Sequence, residues 1–411
     1  SATVAKDDLQ HAWNFASDSP AAIASAVANS VRRWRLNRIL DARPSAMPTT
    51  TDCESPNVPS QLFDFSRILK SMVKGKGPGK KAETKWDPAW AASLASAING
   101  GQWTQVRKCK VVKWAITDNS CQLCFAQTGT VTHRFECSAR MPPEGFPPPP
   151  ETANLALQRI GPDRDEVLKH HGILTLRIPA QPFRPKGSCK WVLDPFATQR
   201  DLPGATWYTD GSMLGGAWTQ LRATGFGLVV VDPRAELIGY GFVAPPSRIN
   251  TAAAAELWAI HIAMALSPFP PKIETDCMSI IASASAGTAT VTAHNKVLAR
   301  VWNSISASAD GDVAALVEQG LWQWIPAHLS ISAVGQATVH SNKRLSMVDW
   351  RANRLVDALA KTGAASVAPA PETIDLITSA ETLVRHRLAQ LAQATHRANN
   401  HSVTVLNVEG E

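Results

Sequence analysis

The stretch Ala205-Thr-Trp-Tyr-Thr-Asp-Gly-Ser212 decides how this 411-residue chain is read. Residues 206–210 predict a strand that delivers Asp210 to its end, where Gly211 lets the backbone turn and leaves the carboxylate exposed. Two more strands follow, over 225–231 and 236–243, joined by the turn signal Asp232-Pro233-Arg234 and therefore an antiparallel hairpin. Beyond them the pattern predicts a helix at 251–266, a strand at 272–276 and helical segments at 279–284 and 293–308. A strand at 321–326 and a helix at 350–361 ended by Gly363 complete it. The order βββαβαβα defines a compact α/β domain over 204–363.

Four carboxylates occupy structurally meaningful places in that order. Asp210 ends the first strand, Glu256 lies within the apolar helix Ala252-Ala-Ala-Ala-Glu-Leu-Trp-Ala259, and Asp276 ends the fourth strand in Ile273-Glu-Thr-Asp-Cys277. Asp357 shares a helix face with Asn353, four residues before it. Brought together as anions about 5 Å apart, each pair would repel by roughly 3 kcal/mol at an effective dielectric near 20. A bound divalent cation removes that penalty, and an all-oxygen donor set suits Mg²⁺, with Mn²⁺ as the alternative, better than Zn²⁺. Two such ions can activate water on one side of a phosphodiester and stabilise the leaving oxygen on the other.

These residues also carry a resemblance. Tyr208-Thr-Asp-Gly-Ser212, Gly225-Phe-Gly-Leu-Val-Val230, Ala255-Glu-Leu257, Thr275-Asp276, Trp324-Ile-Pro-Ala-His328 and Asn353-Arg-Leu-Val-Asp-Ala-Leu-Ala360 together resemble type 1 ribonuclease H. The resemblance implies a mixed five-stranded sheet flanked by helices. It also implies two Mg²⁺ ions held by Asp210, Glu256, Asp276 and Asp357, and cleavage of the RNA strand of an RNA/DNA hybrid to leave a 3′-hydroxyl. His328 matches the family's mobile histidine, with His340 as a substitute because 329–348 form a longer insertion. Asp349 is the rival to Asp357, and capping of the last helix is the role expected of it. Gly211, Ser212, Asn250 and Asn353 are the expected substrate-side positions. The alternatives are a catalytically idle nucleic-acid-binding module and another nuclease of the same superfamily. A proofreading exonuclease would want Asp-x-Glu on the first strand, whereas Gly and Ser follow Asp210.

Upstream, Cys121-Gln-Leu-Cys124 with His133 and Cys137 forms C-x2-C-x8-H-x3-C, a spacing that can close a tetrahedron around one structural Zn²⁺. The segment Gly129-Thr-Val-Thr-His-Arg134 resembles the zinc-binding segment that follows the polymerase in non-LTR retrotransposon proteins, except that Phe125 replaces the glycine that often follows the second Cys. That resemblance implies a fragment of a retroelement protein, with the polymerase part of the same element as a partner. No Tyr/Phe-x-Asp-Asp polymerase motif occurs in the chain. Arg107, Lys108, Lys110, Lys113 and Arg134, with Trp103 and Trp114, suit phosphate contact and base stacking.

Charge and composition bound the rest. Residues 1–200 hold 27 Lys/Arg against 17 Asp/Glu and the remainder 14 against 17, so the basic half precedes the catalytic candidate. With 45% hydrophobic and 18% charged residues, global disorder is excluded. The longest apolar stretch, 252–266, is too short to cross a bilayer and contains Glu256 and His261. Without a secretory signal, an intracellular site in nucleus or cytoplasm and free cysteines are expected, and Ser1 in place of Met suggests a piece of a longer protein. The expected organisation is a mostly helical basic region at 1–85, with a helix at 21–40 and a cationic Gly-rich tether or solvated linker at 74–81. A zinc module at 86–140 comes next, with a helix at 87–98 and a strand around Val112, Trp114 and Ile116. A Pro-rich connector at 141–203, with two short helical patches after residue 150, leads into the 204–363 domain. A C-terminal amphipathic helix and tail at 364–411 complete the chain.

Overall fold

The computed structural model describes residues 4–8, 12–15, 18, 20–41, 60–76, 86–179, 189–197, 202–309, 311–339 and 343–400. The chain divides into two compact units, each assembled from separated segments: Ser1–Leu36 with Gln181–Pro369, and Asn37–Ala180 with Ala370–Glu411. Among the described residues no helix is long and apolar enough to cross a membrane.

In chain order, the antiparallel pair β1 (Val4–Lys6) and β2 (Ala12–Asn14) precedes the 22-residue helix α1 (Pro20–Asp41), in which the division between the units falls. The second unit takes up the chain with β3 (Ser60–Leu62), α2 (Ser66–Ser71), α3 (Trp90–Ile98), α4 (Gln105–Cys109), α5 (His133–Glu136), α6 (Asn154–His171) and β4 (Arg177–Pro179). Residues 112–114, expected to be a strand, form a single 3-10 turn. Val112 is 91% exposed, so its alternation with Trp114 has no sheet face to fill. The two helical patches expected after residue 150 run together as α6, which changes direction where Gly161 takes a φ of 72° ahead of Pro162.

The first unit then forms one six-stranded sheet in the order β10-β9-β6-β7-β8-β5. Its elements are β5 (Lys190–Leu193), β6 (Thr206–Leu214), β7 (Ala223–Val231), β8 (Leu237–Val243), α7 (Ala252–Leu266), β9 (Lys272–Thr275), α8 (Met278–Ser285), α9 (Thr288–Val291), α10 (Ala299–Ser308), α11 (Val313–Glu318), β10 (Trp322–Trp324) and α12 (Met347–Ala365). The expected sheet had five strands. The sixth, β5, is a four-residue edge strand set antiparallel to β8 and drawn from residues read as connector, where the signal is too short to stand out.

Side chains alternate across the sheet with the period of a strand. Trp207 joins Phe226, Leu228 and Ile273 in the core beneath α7, whereas Tyr208 joins Val229, Val356 and Leu359 in the core beneath α12. Gly363 does not end α12, which runs on to Ala365. A Cβ on Gly225 would lie 1.9 Å from the Ala364 nitrogen, and one on Gly363 would lie 2.9 Å from the Val243 carbonyl oxygen. These glycines let helix and strand backbones approach directly, and that approach outweighs the modest helix penalty of a mid-helix glycine.

The last helix, α13 (Pro371–Asn399), belongs to the second unit. Expected to dock on the 204–363 domain or a partner, it packs instead on α3 and α6, burying Leu376, Ile377, Leu383, Val384, Leu388 and Leu391. The Arg387 guanidinium grips the Asp165 carboxylate with two hydrogen bonds of 2.8 and 2.6 Å.

Candidate active site

Strand register places Asp210 and Asp276 side by side. β6 and β9 are parallel with Thr209 opposite Thr275, so Asp210 and Asp276 each follow by one residue the last pair of that ladder. Contrary to the expectation that Asp210 ends its strand, β6 continues to Leu214 against β7. Gly211 therefore makes no turn. A Cβ there would sit 2.1 Å from the Glu256 nitrogen, so the glycine is what lets α7 press its backbone against β6 and bring Glu256 to Asp210. Thr251 starts that helix by accepting a hydrogen bond from the Ala254 amide at 3.2 Å.

One carboxylate oxygen from each of Asp210, Glu256 and Asp276 lies within 4.8 Å of the others. Asp210 and Glu256 are buried, and Glu256 Oε2 is buried with no hydrogen-bond partner. Burial, and then the Asp210 charge, push the Glu256 carboxyl well above the usual carboxylate range. Burial likewise raises Asp210. Asp276 is pushed up to about 6 by burial and by Asp210, although His328 and a hydrogen bond from Asn353 draw it back. An all-oxygen cluster with an orphaned buried oxygen and displaced titrations fits a hard divalent cation.

The fourth acid is placed differently. Asp357 lies outside that trio, and its carboxylate accepts from Lys361 Nζ at 2.7 Å one helical turn on, while its charge still raises both Asp210 and Asp276. Sequence reasoning missed Lys361, although its i,i+4 spacing was the available signal. Asn353 is buried on α12 and supports Asp276. His328 is exposed on the loop after β10 with a φ of 53°. His340 falls outside the described residues. Asp349 closes a capping box with Ser346, accepting from its amide at 3.1 Å, and accepts from Tyr208 Oη at 2.7 Å. Ser212 is half-buried on β6, and Asn250 is exposed just before α7.

In the second unit, one donor atom from each of Cys121, Cys124, His133 and Cys137 lies within 4.8 Å of the rest. The first two cysteines flank a tight turn in which the Phe125 amide donates to the Cys121 carbonyl at 2.8 Å, and Phe125 itself takes a φ of 54°. α5 carries His133 and delivers Cys137, whose amide donates to the His133 carbonyl at 2.8 Å. Cys124 Sγ and His133 Nε2 are 3.2 Å apart, and the Cys121 and Cys137 sulfurs 3.9 Å. A backbone hydrogen bond from Ala126 lowers the Cys124 thiol to about 6, while burial raises Cys137. Arg140, which sequence reasoning missed, hydrogen-bonds the Cys137 sulfur. Three thiols and an imidazole nitrogen fit a soft tetrahedral metal such as zinc. The six described cysteines are all free.

No family model and no curated protein matches this chain. Among solved structures it is similar to a foamy viral protease-reverse transcriptase in complex with RNA/DNA hybrid, at 18% identity and a TM-score of 0.28 over 44% of this chain and 22% of that one. It is similar to native prototype foamy virus protease-reverse transcriptase at 19% identity and a TM-score of 0.29, over 39% and 21% of the two chains. It is also similar to the solution structure of the PFV RNase H domain, at 20% identity and 0.27, over 40% of this chain and 95% of that domain. The chain thus spans about a fifth of the length of the two protease-reverse transcriptases.

Proposed function

We propose that the first unit is a metal-dependent endonuclease of ribonuclease H type that hydrolyses the RNA strand of an RNA/DNA hybrid. The observation that carries the reading is the convergence of Asp210, Glu256 and Asp276 from β6, α7 and the end of β9. Magnesium held by these three and by Asp357 would activate water and stabilise the departing oxygen. The chain's own residues do the rest. Asn353 fixes the Asp276 carboxylate through its hydrogen bond. Gly211 keeps Glu256 close to Asp210, and Ser212 and Asn250 face the hybrid. Water attacks phosphorus, the bond to the 3′ oxygen breaks, and that oxygen leaves as a 3′-hydroxyl. His328, on an exposed loop near Asp276, exchanges the proton with solvent or helps product depart. In the second unit Cys121, Cys124, His133 and Cys137 hold one structural zinc, and the chain works beside the polymerase part of a retroelement protein.

Purified full-length protein in Mg²⁺ should cut the RNA of a hybrid and leave the DNA strand, single-stranded RNA and double-stranded DNA intact. Asp210→Asn should lower the rate by at least about a thousandfold, on the scale seen when a principal catalytic group is removed. Equal rates for parent and variant would end the reading.

A further inference from the structure

The second unit carries a basic and aromatic surface that the acidic site does not use. Residues 103–116 hold Arg107, Lys108, Lys110 and Lys113 and no acid, and none of these four cations forms an ion pair among the described residues. Trp103 and Trp114 are 42% and 43% exposed, with ring centres 5.1 Å apart and planes tilted by 48°. The Arg107 guanidinium lies 4.2 Å from the Trp103 ring centre. It is fixed there by bonds from one nitrogen to the Gly100 and Gln102 carbonyls. Arg134 donates to the Trp103 carbonyl at 3.0 Å, and Ala115, at a φ of 50°, closes the turn that presents Trp114. Arg107 and Lys110 also line a cleft of about 330 Å³ with Gln102, Thr104, Thr130 and His171.

Two half-exposed indoles in contact with each other, one of them under a guanidinium bonded to backbone carbonyls, are not a folding requirement, since burying them would stabilise the unit more. Their chemistry suits a flat π-face, and the surrounding cations suit phosphates. A duplex keeps its base faces stacked inside and cannot offer them, whereas an unpaired strand can. We propose that this surface binds single-stranded nucleic acid, with a base stacked on Trp114 and its flanking phosphates at Arg107, Lys110 and Lys113. The inference does not depend on the nuclease reading, because no residue of the acidic site takes part in it.

The test uses the full chain carrying Asp210→Asn, so that no strand is cut, purified in zinc. A fluorescein-labelled 20-nucleotide single strand of mixed sequence is titrated by anisotropy, in RNA and DNA forms. Trp114→Ala should weaken binding about tenfold or more, as expected when one base stack is removed, and Trp114→Phe should stay within about threefold of the parent. Arg107, Lys110 and Lys113 changed together to Ala should flatten the dependence of log affinity on log salt by about two, at about 0.7 for each phosphate left without its cation. Unchanged affinity in Trp114→Ala, equal weakening in the Phe and Ala variants, or an unchanged salt slope would overturn the proposal. So would a blunt duplex or polyglutamate competing as well as the unlabelled strand. Hybrid cleavage measured on Trp114→Ala in the chain with Asp210 intact is expected at the parental rate. Absence of cleavage by the parent would count against the nuclease and leave the binding result standing.

Discussion

Gly211 shows how a single missing Cβ sets the geometry of the acidic cluster. The Glu256 backbone occupies the place a methyl group would take, so Gly211→Ala must push α7 off β6 and carry Glu256 away from Asp210. Overpacking of this kind costs about 1–3 kcal/mol. The variant should be less stable by that amount in denaturant titration and lose hybrid cleavage, and retained activity would show that α7 tolerates the shift. The raised carboxyls give a second expectation. A carboxyl whose folded pKa is raised binds its proton more tightly folded than unfolded, so stability is fullest below the ordinary carboxylate range and is lost as pH rises through the folded value. For Asp276 that window runs from 3.8 to about 6. The gap in melting temperature between Asp210→Asn and the metal-free parent should therefore be near zero at pH 4 and reach a few degrees in the variant's favour by pH 7. Added Mg²⁺ should raise the parent's melting temperature at pH 7 and not at pH 4. A gap that stays flat across the titration would refute the account of the acids as mutually repelling.

At the level of elements, the strands were legible where burial imposes a pattern. β7 reads as an apolar run broken only by Thr224 because all nine of its residues are buried. The acids could be found because each sits at a chemically odd place: Asp210 beside glycine, Glu256 amid alanines, Asp276 at a strand end. What escaped notice has physical causes. The role of Gly363 is invisible without knowing that Gly225 lies across from it, since an approach between distant segments leaves no local mark. β5 and α11 are too short, at four and six residues, for periodicity to register. The lysine partner of Asp357 follows a spacing rule but looks like any solvated helix charge. α12 rests on its first turn, where Ser346 and Asp349 cap each other and Asp349 also anchors Tyr208. Ser346→Ala should cost about 1 kcal/mol by thermal denaturation, the usual worth of such a cap. Its effect on cleavage should be small, because Asn353 and Asp357 lie further along the helix. A drop of several kcal/mol would mean that the Tyr208 hydrogen bond matters more than the cap.

For the molecule as a whole, the two units gather donor sets of different chemistry. One gathers oxygen from carboxylates, the other sulfur and nitrogen from Cys121, Cys124, His133 and Cys137. Structural zinc is folding free energy in a small module. If the second unit holds the one zinc proposed for it, Cys124→Ala should abolish that zinc in atomic absorption and raise amide hydrogen exchange across residues 103–140. Exchange across β6 and β7 should not change. Protection that persists at 103–140 in the zinc-free protein would show that the segment holds its shape without metal.

The second unit is built from stretches on either side of the first unit's longer segment, Gln181–Pro369. During synthesis, β6 to α12 can collapse as soon as they leave the ribosome. The earlier α3 and α6 must wait for α13, with roughly 190 residues still to be translated, on the order of 10–40 s at ordinary elongation speeds. Through that interval their apolar faces have no lid, so a nascent chain stalled before residue 370 would carry a finished α/β sheet tethered to an open, chaperone-attracting partner.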